Sequence, residues 1–145
     1  MNAIDICRKA IVHYGAQSQI MVFLGELAEL SQAITASNRS AIVEELADVQ
    51  VCLATRFIIA GIEPDLSKVP RVTGGFFDIF TEIALQEARL VQGRSWQPLA
   101  LYCLSGWIDK IVHDFKAEDE IEKIKVFKLK RLMRRIESEK VNLGA

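Results

Sequence analysis

Apolar residues recur along this chain at intervals of three and four rather than two. That spacing lays them along one face of a helix turning every 3.6 residues. Ile20, Leu24 and Leu27 continue, past polar Ser31, to Ile34, and Ile42, Leu46, Val49 and Leu53 repeat the same intervals. Leu101, Leu104, Ile108, Ile111 and Phe115 form a third seam, and Val126, Leu129, Met133 and Ile136 a fourth. Pro64, Pro70, Pro98 and the Gly74-Gly75 pair fall in segments that lose the period. The pattern predicts helices near 2–13, 17–35, 40–60, 76–92, 98–115 and 119–139. "TASNRS" is the polar turn between the second and third, with Ser40 the expected N-cap. The stretch 62–75 is the longest irregular connection, either a linker between helical halves or a loop over a pocket. No segment alternates with period two over a useful length, so the fold class is all-α, a helical bundle, read as one domain over 1–145.

Composition narrows the functional classes. A chain of 145 residues can bury about 70% of the surface its unfolded form exposes, enough for a core without staples. With 18 basic and 19 acidic residues the net charge is -1, so nothing global draws it to nucleic acid or membrane, and recognition must come from local charge. Cys7, Cys52 and Cys103 are odd in number and sit in apolar helical runs, which reads as reduced thiols in a cytoplasmic protein rather than a disulfide framework or zinc site. The most hydrophobic run is interrupted by Arg56, so neither a membrane span nor a signal peptide is expected. His13 and His113 lack neighbours at metal-ligand spacing and receive no catalytic role.

The second and third predicted helices each carry two acids three residues apart: Glu26 and Glu29, then Glu45 and Asp48. Val22, Glu26, Glu29 and Ala33 share one helical row, and Ala41, Glu45, Asp48 and Cys52 another. Rows that begin and end in residues preferring burial point toward a partly enclosed space. In an antiparallel hairpin turning near Ser37, residues of equal summed number lie level. Glu26 with Asp48 and Glu29 with Glu45 both sum to 74. Two like charges at about 4 Å repel by roughly 4 kcal/mol at an effective dielectric of 20, so a counter-cation is expected. An all-carboxylate site suits Mg²⁺ or Mn²⁺ rather than zinc. The competing reading is that the pairs are solvated faces of helices that pack elsewhere.

"ELAEL" followed by "EELADV" resembles the E-x-x-E…E-x-x-D signature of the MazG-like, all-α nucleoside triphosphate pyrophosphohydrolases. "YGAQSQ" and "KLKRLMRRI" are similar to the ends of that family's core, and together the motifs cover about 14–57 and 124–136. The resemblance implies Mg²⁺-dependent hydrolysis between the α and β phosphates of a (deoxy)nucleoside triphosphate, giving the monophosphate and pyrophosphate. Glu26, Glu29, Glu45 and Asp48 would then hold Mg²⁺, and a remaining carboxylate would orient or deprotonate water. Lys128 and Arg131 match the late K-x-x-R-L motif as phosphate partners, and Gln19 is carried over as a nucleotide-binding residue. Cations near a helix C-terminus equally suit the helix dipole and solvent. One departure is Gly25, where family members commonly have a further acid. Glu44 keeps the doubled acid of the second motif but points about 100° away from Glu45.

The segment 76–116 exceeds that family's compact core. A shift of 61 residues places Glu26 on Glu87 and Asp48 on Asp109, but Glu29 on Leu90 and Glu45 on Gly106. This suggests a degenerate second hairpin completing a four-helix bundle without metal, similar to the unequal halves of the dimeric dUTP-hydrolysing branch. Trp96, Tyr102 and Trp107 in this region are either base-stacking or packing aromatics. Apolar bundle faces and the resemblance together favour a homodimer or higher homo-oligomer. The alternative function is a noncatalytic helical oligomerisation or regulatory module that retains the acidic motif. Nucleic-acid binding through the basic last helix is disfavoured by the neutral net charge.

Overall fold

Among the described residues six α-helices form where the three- and four-residue seams predict them: α1 (Ala3–Tyr14), α2 (Ala16–Thr35), α3 (Arg39–Ala60), α4 (Phe76–Val91), α5 (Leu99–Asp114) and α6 (Glu118–Asn142). The computed structural model describes residues 2–64 and 75–142. Ten residues of the 62–75 connection, 65–74, lie outside the described residues, and with them the choice between linker and loop.

Local chemistry sets the helix ends. Asn2 caps α1 by accepting from the Asp5 amide at 2.9 Å. Gly15, at φ 91°, separates α1 from α2 with a backbone conformation that a residue bearing Cβ rarely adopts. The cap of α3 is Asn38 rather than Ser40: its Oδ1 accepts from the Ala41 amide at 3.1 Å. Ser37, at φ 53°, reverses the chain just before it, so the helix starts a residue earlier than expected and Ser40 lies inside its first turn.

α3 is the central element, touching α1, α2, α5 and α6. The α2–α3 and α4–α5 hairpins close a ring in the order α2, α3, α5, α4, the four-helix arrangement expected of a second hairpin. Phe23, Leu27, Leu30, Leu46, Val49, Ile83, Leu104 and Ile108 fill its interior. Burying one such side chain contributes about 1.5–3 kcal/mol. The last predicted seam needs one correction: Leu129 and Ile136 are buried, whereas Val126 points outward. Among the described residues no helix is long and apolar enough to cross a membrane.

The aromatics of the second hairpin pack rather than offer a stacking platform. The Tyr102 hydroxyl donates to the Glu63 carbonyl at 3.0 Å, and Trp107 lies 5.0 Å from Phe76 between ring centres. Trp96 stacks under Arg56 at 4.7 Å and donates from Nε1 to Glu87 at 3.2 Å. Arg56 and Glu87 are both buried and pair at 3.0 Å.

Candidate metal centre

The α2–α3 hairpin delivers three of the four expected acids to one place. Glu26, Glu29 and Glu45 each offer a carboxylate oxygen within 4.8 Å of the other two. Leu27, Leu30, Leu46 and Val49 anchor the two helices in the core, and this fixes the rotation that turns the acids toward each other. Glu29 sits at the exposed rim while Glu26 and Glu45 are half-buried. Val22, expected at a buried end of the first row, is exposed, whereas Ala33 at the other end is buried. The enclosure therefore opens toward the N-terminal half of α2.

The electrostatics are those of a site short of positive charge. Burial first, then the charges of Asp48, Glu29 and Glu45, push the Glu26 carboxyl up to about 8. Glu45 is pushed up to about 7 by burial and then by Asp48 and Glu29, with Lys128 pulling the other way. Glu26 Oε2 and Glu45 Oε2 are buried, and neither has a hydrogen-bond donor among the described residues. When one is protonated the two carboxyls can share that proton; when both are ionised neither is satisfied. Cys52, on the same row of α3, has its thiol pushed up by burial and then by the Glu26 and Asp48 charges, so it stays protonated.

Asp48 is the exception. Lys128, from α6, places Nζ 2.7 Å from its carboxylate and 3.5 Å from Glu44. Burial lowers the affinity of Lys128 for its proton, but the Asp48 hydrogen bond and charge, then Glu44, outweigh it and leave the ammonium firmly protonated. Among the described residues the late basic motif thus reaches the acids through Lys128 alone. Arg131, one turn on, is exposed with its guanidinium 5.9 Å above the Phe127 ring. Gln19 lies two turns before Glu26 on α2, roughly 10 Å along the axis, outside the acid cluster.

Glu87, on which the 61-residue shift places Glu26, differs from it in having its carboxylate beside a cation, Arg56 of α3, with Trp96 as a further donor. Asp109 is exposed on α5. The buried acid of the second hairpin is therefore neutralised by a cation from α3, across the interface between the two hairpins. The buried pair was not legible beforehand: Arg56 showed only as a break in an apolar run, and opposite charges 31 residues apart carry no local signal. No family model, curated protein or solved structure matches the chain.

Proposed function

We propose that this chain is an Mg²⁺-dependent nucleoside triphosphate pyrophosphohydrolase, with Mn²⁺ as an alternative ion, acting in the cytoplasm on a (deoxy)nucleoside triphosphate. The observation that carries the reading is the convergence of Glu26, Glu29 and Glu45, two of them with buried oxygens lacking a donor. A divalent ion fits that donor set, since hard oxygen ligands at a shared point suit Mg²⁺. The resemblance of the two acidic motifs to the MazG-like family supplies the reaction.

In this reading Glu26, Glu29 and Glu45 hold the ion. A bound divalent ion neutralises triphosphate charge and lowers the pKa of water beside it. Lys128 exchanges its Asp48 hydrogen bond for a phosphate oxygen. Asp48, released, accepts a proton from the attacking water. Glu29, at the exposed rim, is the acid through which ion and substrate enter. Arg131 reaches substrate only by leaving its stack on Phe127.

The Asp48–Lys128 pair also favours the alternative, a noncatalytic helical module in which Lys128 serves as a permanent counter-cation. The two readings separate on one experiment: Mg²⁺-dependent pyrophosphate release, lost in a Glu45→Gln variant that still folds, supports the enzyme. Divalent binding without turnover on any nucleotide supports the module.

A further inference from the structure

On α3, Gln50, Leu53 and Phe57 recur at intervals of three and four, in a row that begins about 200° around the helix from Asp48. This row therefore faces away from the metal centre. Ser105, Ile108 and Asp109 of α5 and Glu122 and Lys125 of α6 line the same space, and the three helices enclose a cleft of about 320 Å³. That is the lower end of the range for small-molecule sites, and the volume of about ten water molecules. Leu53, Phe57 and Ile108 are buried and give the cleft an apolar floor. Its walls carry a few convergent polar groups, the composition of a binding site for a small ligand.

Those polar groups are mostly acceptors. The Gln50 side-chain oxygen is buried and has no donor among the described residues, a costly arrangement unless a ligand supplies one. The Lys125 ammonium is bonded to Glu122 at 3.2 Å, so Asp109 feels it only as a more distant charge. Asp109 is exposed on one side, and partial burial on the other pushes its carboxyl up against the pull of Lys125. Two carboxylates against one ammonium leave the cleft short of one positive charge.

We infer that this cleft binds a small organic monocation, a primary ammonium on an apolar stem, with the ammonium at Asp109, Ser105 and Gln50 and the stem over Leu53, Phe57 and Ile108. An ammonium has three donors, which the three oxygens match. A metal ion suits the cleft poorly: among the described residues only two carboxylates line it, one tied to Lys125, too few to replace the waters of a hard cation. An anion would meet the unneutralised Asp109. The inference does not rest on the enzymatic reading, because the cleft contains none of the acids of the metal centre.

Titration of the intact chain with benzylamine, followed by amide NMR and compared with benzyl alcohol as the uncharged molecule of the same shape, tests the assignment. Shifts confined to the three helix rows around the cleft should saturate with a Kd below about 1 mM. Asp109→Asn should weaken binding at least tenfold and Gln50→Leu several-fold. Ala54→Phe, which fills the cleft from an exposed position on its rim, should abolish it. Benzyl alcohol should bind at least tenfold more weakly. Asp109 and Ala54 are both exposed, so unchanged amide spectra away from the cleft should show that folding persists. No saturable shift up to about 10 mM benzylamine overturns the inference. So does equal binding of benzyl alcohol, or binding that survives Asp109→Asn; loss of such binding in Glu45→Gln would place the amine at the acids of the metal centre instead.

Discussion

Lys128 Nζ lies 2.7 Å from the Asp48 carboxylate, so the acid absent from the Glu26–Glu29–Glu45 cluster is the one already holding a cation. Removing that cation should release Asp48 to the cluster. In Lys128→Met, Mn²⁺ or Mg²⁺ should bind several-fold more tightly, as measured by calorimetry. The metal-free variant should lose about 1–3 kcal/mol, because a half-buried carboxylate loses its donor. Unchanged divalent affinity would show that Asp48 has no access to the ion.

The raised carboxyls give the metal-free protein a specific pH dependence. Both groups bind protons more tightly folded than unfolded, so their contribution is fully present below pH about 4.5 and declines as pH rises to about 8 for Glu26 and about 7 for Glu45. Thermal melts in chelator should therefore show wild type losing stability between pH 5 and 8 relative to Glu26→Gln. Mg²⁺ at pH 8 should reverse the loss in wild type only, since ligation displaces the proton. Parallel pH profiles for the two proteins would contradict the assignment.

The buried Arg56–Glu87 pair should behave as a unit. Arg56→Met or Glu87→Gln alone strands a buried polar partner and should cost roughly 3–5 kcal/mol in urea unfolding. Arg56→Met combined with Glu87→Leu should recover most of that loss. Trp96, which contacts both groups, should change its fluorescence in each single variant. Additive losses in the double variant would mean that the pair does not act jointly.

Much of this was legible in the sequence because helices write their packing locally. Leu46 and Val49 mark the buried face of α3 by spacing alone, and Glu26, Glu29 and Glu45 follow once the hairpin register is set. The spacing points to Ser40 as the cap, but the left-handed Ser37 turns the chain earlier and Asn38 takes that role within the same polar turn. The capture of Asp48 by Lys128 spans 80 residues and depends on how α6 lies across α3. Periodicity gives no such docking angle, so it left Lys128 and Arg131 equivalent, whereas the fold engages the first and leaves the second on the surface.

Gly25 offers a check on the hairpin. A Cβ built there meets nothing within 4 Å, and glycine weakens a helix interior by roughly 0.5–1 kcal/mol relative to alanine. Gly25→Ala should therefore stabilise the fold by about that amount in urea unfolding. Destabilisation would mean that a partner occupies the exposed side of α2 at that turn.

Purified chain incubated with each ribo- and deoxyribonucleoside triphosphate, with and without Mg²⁺, with pyrophosphate and phosphate quantified separately, decides whether the acid cluster is catalytic. Equal amounts of monophosphate and pyrophosphate should form only with the metal, and should fall at least a hundredfold in a folded Glu45→Gln variant. No turnover of any nucleotide, or equal turnover in Glu45→Gln, would contradict the catalytic reading.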